Sequence, residues 1–239
     1  MEIIDAHAHI YPEKIAAKAT DTIGIFYDIK MDMPAGTAEK LVETGTRAGI
    51  SRYVVHSVAT TAHQVRSINE FIKRECEAHP EFIGFITLHQ DLSEEEIESE
   101  VDFAIANGLK GIKLHPDFQK FNIDDESAER FYRAADGKLP ILFHIGDDRY
   151  DFSKPHRLAK MAKKYKANVT FLNLLSNEGT MEKFEELNVI DPKHPKHKDF
   201  KKVLTNPIFR EPFIFINKDL LENNEAKSSN IFLKWFKKN

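Results

Sequence analysis

Five short apolar stretches recur along this chain at nearly equal intervals. They start at Arg52, Phe82, Gly111, Ile141 and Asn168, which are 30, 29, 30 and 27 residues apart. That interval is the length of one strand, one helix and their connections, and strands that alternate with helices pair in parallel. Segments such as Tyr53-Val54-Val55 and Phe82-Ile83-Gly84-Phe85-Ile86 are apolar almost throughout, the pattern of strands covered on both faces. Helix signals fill the gaps. A helical pattern from Thr37 to Ala48 stops at Gly49, Thr61-x-x-Gln64 and Ser93-x-x-Glu96 read as capping boxes, and Pro155 suits the first turn of a helix reaching Lys166. Gly24 to Pro34 reads as an irregular connection. Two architectures fit this alternation, a (β/α)8 barrel and an open doubly wound sheet. No Gly-x-Gly-x-x-Gly follows the first strand, which removes the usual dinucleotide-binding form of the open sheet.

Ahead of these repeats stands another strand, Ile3-Ile4-Asp5-Ala6-His7-Ala8-His9-Ile10. Strand alternation puts Asp5, His7 and His9 on one face and Ile4, Ala6 and Ala8 on the other. Two imidazoles at i and i+2 can converge on one cation. Equally, a histidine pair near a terminus can be merely solvated, because two donors make no site without a third. Further histidines stand along the later strands: His56 within the second, His89 and His115 after the third and fourth, His144 at the end of the fifth. A parallel barrel gathers strand ends around one cavity. His7, His9 and His144 would then supply three nitrogen donors and leave room for a water, whose pKa such a site lowers to ~7. His115-Pro116-Asp117 and Asp147-Asp148-Arg149 fall in loops on the same face, where substrate contacts belong. Arg149 either grips a substrate carboxylate through a forked pair or is held by Asp147 or Asp151.

Composition narrows the class. The 239 residues are 41% hydrophobic and 30% charged, which fits a soluble globular protein, and the net charge of -4 argues against a nucleic-acid partner. Cys76 is the sole cysteine, so no intrachain disulfide and no cysteine-based metal site can form. No apolar run approaches the ~18 residues of a membrane span, and no basic leader precedes Asp5. A cytoplasmic protein without a membrane partner is expected; self-association into a homo-oligomer is left open.

Ile4-Asp5-Ala6-His7-Ala8-His9-Ile10-Tyr11-Pro12 resembles the opening motif of the amidohydrolase superfamily, in its amidohydrolase-related, decarboxylase-like branch of metal-dependent TIM-barrel hydrolases. Val54-Val55-His56-Ser57-Val58-Ala59-Thr60, Gly108-Leu109-Lys110-Gly111-Ile112-Lys113-Leu114-His115-Pro116-Asp117 and the segment from Phe143 to Ser153 are similar to later segments of that branch. The resemblance implies a (β/α)8 barrel. It implies a divalent metal, zinc in the first instance, on His7, His9 and His144, with substrate contacts from His115 and Arg149. The implied activity is hydrolysis of a small polar substrate by metal-activated water, with metal-dependent decarboxylation as the alternative within the same branch. Lys113, which shares a strand face with His115, is expected near the cavity.

The chain departs from that pattern after Phe171. Where the family has a catalytic histidine followed by glycines, it reads Leu172-Asn173-Leu174-Leu175-Ser176-Asn177. No segment of the family's last-strand aspartate type follows. Leu187-Asn188-Val189-Ile190-Asp191-Pro192 comes nearest, making Asp191 the candidate catalytic base, and Asp219 is a weaker match. The 52 residues after Leu187 are few for two further repeats. The expected organisation is therefore a βα barrel portion over 1–187 and an irregular segment over 188–239, with the barrel incomplete or irregular after the sixth strand. A third reading follows from the missing groups: a metal- or ligand-binding remnant without turnover.

Overall fold

Strand β1 (Ile4–His9) lies parallel to β2 (Arg52–His56), β2 to β3 (Phe82–Thr87), and β3 to β4 (Gly111–Leu114). The computed structural model describes residues 4–31, 36–145, 147, 149–165, 169–172 and 213–215. The chain divides into two units, Met1–Leu114 and His115–Asn239. These four strands, α1 (Glu13–Tyr27), α2 (Ala38–Arg47), α3 (Val65–Ala78) and α4 (Glu94–Ala106) make up the first.

Burial on both faces of the sheet explains the unbroken apolar strands. Tyr53, Val54, Val55, Phe82, Ile83, Phe85 and Ile86 are all buried, as are Ile72 of α3 and Ile97 and Val101 of α4. Each such side chain removed from water contributes about 1.5–3 kcal/mol. Gly84 shows how closely α3 approaches β3. A Cβ there would stand 2.6 Å from Cys76 Sγ and 2.6 Å from a Leu109 methyl, so any larger residue would push helix and strand apart. Gly24 has a similar role and does not end its helix as the sequence suggests. α1 runs on to Tyr27 because the main chain of Ile29 packs against Gly24, where a Cβ would meet the Ile29 carbonyl at 2.9 Å. Asp28, at φ 53°, then turns the chain in the left-handed conformation.

The Ser93 capping box forms as expected, with Glu96 N–H donating to Ser93 Oγ and Ser93 N–H donating to Glu96. The Thr61 box does not. Gln64 Oε1 instead accepts from the backbone and hydroxyl of Thr60 at 2.9 and 3.1 Å, and a short 3-10 turn, Ala62–Gln64, leads into α3.

The second unit holds α5 (Pro116–Gln119), α6 (Glu126–Ala135), β5 (Ile141–His144), α7 (Pro155–Lys164), β6 (Val169–Leu172) and β7 (Phe213–Phe215). β5 and β6 are parallel; β7 pairs antiparallel to β6. An antiparallel partner is a departure from a uniformly parallel barrel, and it falls after the sixth strand, where the sequence ceases to repeat. Phe131 and Tyr132 of α6 are buried together with all of β5, and the Tyr132 hydroxyl donates to the Ile123 carbonyl at 3.0 Å. Arg157 on α7 ties the surrounding loops together through Asp124 and Asp151, each at 2.6 Å. The domain boundary expected at 187/188, Asp191 and Asp219 lie outside the described residues. Among the described residues no helix is long and apolar enough to cross a membrane.

Candidate metal centre

Asp5 pairs with Tyr53 and Ala8 with Val55, so β1 carries one more residue than β2 between these points. This is a β-bulge, and it re-aims the strand. Asp5 Oδ1 accepts from the His7 backbone N–H at 2.9 Å inside the bulge, satisfying a donor that the ladder leaves over. The bulge also overturns the simple alternation expected for the strand. Asp5 shares its face with Tyr53, whereas His9, in register with His56, lies on the opposite face. The aspartate is therefore a backbone brace on the far side of the sheet from the His9–His56 pair.

The two imidazoles of β1 meet as the sequence suggests. His7 Nε2 and His9 Nε2 are 3.1 Å apart. Two nitrogen donors on one tetrahedral zinc ion stand about 3.3–3.4 Å apart, given bonds of ~2.0–2.1 Å, so the pair already has the separation of two ligands. The third histidine of this unit was visible in the sequence without a role. His56 lies 4.4 Å from His9 and 4.8 Å from His7, ring centre to ring centre. One ligand nitrogen from each of the three lies within 4.8 Å of the others. Strand-end hydrogen bonds place it there: Ile10 N–H donates to the His56 carbonyl at 3.1 Å, and Ser57 Oγ donates back to the Ile10 carbonyl.

Electrostatics hold His9 and His56 in the neutral form. Burial, and then the charge of Lys113, push His9 down to about 3. Burial again, with His9 and Lys113 adding to it, holds His56 well below the usual histidine range. Neutral imidazole is the form that binds metal. Tyr11 Oη lies 3.4 Å from His9 Nδ1; an Nδ1–H donated to that oxygen leaves Nε2 free to act as a ligand. The donor set therefore fits a divalent transition-metal ion. Lys113 itself is fully buried. His89 plays another part, its Nδ1 accepting from the Asp91 backbone at 3.2 Å.

His115 and His144 belong to the second unit. Their rings stack at 3.9 Å with 10° between planes, and Phe118 covers the other face of His115 at 3.8 Å. His115 Nδ1 accepts from the Phe118 N–H at 3.3 Å, capping α5, and Gln119 Oε1 takes the His115 N–H at 2.9 Å. Sequence reasoning gave His115 to substrate and did not foresee this capping. Arg149 takes the second of its two expected forms. Its Nε and a terminal nitrogen donate to the two oxygens of Asp147 at 3.0 and 2.7 Å.

The amidohydrolase family model matches residues 4–190. Among curated proteins, none matches the chain. Solved structures with a similar fold include 5-carboxyvanillate decarboxylase LigW from Sphingomonas paucimobilis, at TM-score 0.55 and 11% identity, covering 71% of this chain and 67% of that one. A 5-carboxyvanillate decarboxylase from Novosphingobium aromaticivorans, complexed with manganese and 4-hydroxy-3-methoxy-5-nitrobenzoic acid, follows at TM-score 0.54 and 15% identity, covering 71% and 64%. Metarhizium anisopliae IDCase in its apo form gives 0.52 and 14%, covering 86% and 73%. The chain thus spans about two thirds of the length of these decarboxylases.

Proposed function

The chain belongs to the amidohydrolase family, whose fold is a TIM-barrel-like array and whose members use divalent metals, and from that premise we propose that it is a metal-dependent hydrolase of a small polar substrate. The observation that carries this reading is the 3.1 Å approach of two imidazole nitrogens, those of His7 and His9, at the end of the first strand. His144, at the end of β5, is the proposed fifth-strand ligand. Zinc is the proposed ion, because imidazole donors suit it better than they suit magnesium or manganese. A divalent cation bound there polarises a carbonyl oxygen and lowers the pKa of water.

The chain's own residues supply the rest. Tyr11 orients His9. Lys113 places a buried positive charge beside the imidazoles and favours a substrate that carries a carboxylate or develops negative charge in reaction. Arg149 can contribute a second anchor once its guanidinium exchanges Asp147 for substrate, and His115 presents a flat ring wall beside His144. Asp191 is the proposed proton acceptor. A second reading, decarboxylation of an aromatic acid, is favoured by the fold similarity to two carboxyvanillate decarboxylases and by the same buried lysine.

Metal analysis with a turnover panel tests both. The full chain loaded with zinc should bind one equivalent and hydrolyse a member of a panel of amides and lactones. Release of carbon dioxide from an aromatic acid instead would move the assignment to the decarboxylase reading. His7→Ala and His144→Ala should each lower zinc affinity on the order of 100-fold or more, and His194→Ala or His197→Ala should leave it unchanged. Retention of stoichiometric zinc by His7→Ala overturns the metal assignment. Bound zinc with no turnover on either panel marks the chain as a binding remnant.

A further inference from the structure

His56 lies in a segment that resembles the family but carries no role in the sequence reading, and it is the most completely enclosed of the clustered histidines. Its exposure is 0%, and neither Nδ1 nor Nε2 has a hydrogen-bond partner among the described residues. A buried polar group left in that state costs about 1–3 kcal/mol, so an orphan imidazole calls for a ligand. It is not there to fill space. Its ring lies edge-on to His9, at 89° between planes, with its ligand nitrogen within 4.8 Å of those of His7 and His9. Nitrogens sharing one tetrahedral ion with bonds of ~2.0–2.1 Å stand about 3.3–3.4 Å apart, so a closure of at most about 1.5 Å brings His56 into the set.

We propose that His56 is a further metal ligand, which makes the first unit's share of the site an all-imidazole set from two adjacent strands. The inference rests on the reading that His7 and His9 hold a divalent cation. It adds a chemical consequence to that reading. A set of three imidazoles with no carboxylate disfavours the hard ions magnesium, calcium and manganese, and favours zinc, cobalt or nickel. The β-bulge reinforces this, because it turns the nearby carboxylate of Asp5 to the other face. Preference for zinc over manganese is then set by His56 and differs from what an oxygen-donor ligand in its place would give.

Direct bonding is read on the intact full-length chain. With the protein labelled with nitrogen-15 in its histidines and loaded with cadmium-113, three ring nitrogens, those of His7, His9 and His56, should each show scalar coupling to the metal. Coupling at His7 and His9 without coupling at His56 overturns the proposal and leaves the proposed function standing. Absence of coupling at His7 and His9 overturns both. His56→Gln should lower zinc affinity at least ~10-fold. His56→Asp, with an oxygen donor at the same place, should narrow the zinc-over-manganese ratio by at least ~10-fold relative to the parent chain. Circular dichroism of the apo forms checks that both variants fold. An unchanged metal ratio in a folded His56→Asp chain counts against the proposal even if affinity falls.

Discussion

Asp117 is 2% exposed, and neither of its carboxylate oxygens, nor the Ser153 hydroxyl beside it, makes a hydrogen bond of ordinary geometry among the described residues. Burial raises its pKa to about 6, against the opposing pull of Ser153 and the cations Lys154 and Arg149. An unfolded aspartate titrates near ~3.9. Between these values the folded chain holds a proton that the unfolded chain has released, so stability falls as pH rises through that window. His9 and His56, whose pKa values burial depresses, add stability as pH rises over the same range, so the Asp117 contribution is read by difference in thermal unfolding. From pH 4.5 to 6.5 the stability of the parent chain relative to Asp117→Asn should fall, and equal slopes in the two proteins would clear Asp117 of the effect. The histidines offer the complementary lesson. His7 and His9 announce themselves by i, i+2 spacing; His56, 47 residues beyond His9, comes beside it only through register.

On α3 the buried stripe Val65–Asn69–Ile72 contains one polar residue, and that is the sequence signal of a brace. Asn69 Oδ1 accepts from the Thr87 N–H at 2.8 Å, while its Nδ2 donates to the Thr87 carbonyl at 3.0 Å and to Glu100 on α4 at 2.8 Å. One side chain therefore joins α3, the end of β3 and α4. Thr87 in turn accepts from the Ala59 N–H through its hydroxyl at 3.3 Å, which ties in the loop after β2. Arg66 completes the charge balance by pairing with Glu100 at 2.9 Å. Asn69→Ala strands a buried carboxylate oxygen and the backbone of a strand end. It should cost roughly 2–4 kcal/mol, read as a lower urea midpoint with an unchanged slope. A cost under about 0.5 kcal/mol would show that water replaces the amide. The helix spacing was legible in the sequence; what Asn69 bonds to was not, since its partners stand 18 and 31 residues away.

At the scale of the whole chain, a ligand that binds only the folded form adds its binding energy to stability. Zinc at 100 times its dissociation constant would add about 2.7 kcal/mol, or roughly 5–10 °C in a chain of this size. Calorimetry of the full chain with zinc and then with a chelator should show that rise and its reversal, and His7→Ala should show neither. A melting temperature indifferent to zinc in the parent chain would refute a site that forms with the fold. The family's (β/α) order was legible from intervals of 27 to 30 residues between strands, and the family model spans 4–190. The antiparallel β7 was not, because the repeat that predicts parallel pairing ends before it.

By itself the sequence determined the alternation of strands and helices, the parallel pairing, the paired histidines of β1 and the Ser93 capping box. These depend on periodicity and on contacts a few residues apart, which a linear reading preserves. Tertiary structure decided the rest. It inserted a bulge that sends Asp5 to the other face and set His56 beside His9. It stacked His115 on His144 and closed Arg149 onto Asp147. Each of these turns on register or on side-chain partners that lie far apart in the chain or compete with other pairings, and one residue of slip in a strand is enough to reverse a face.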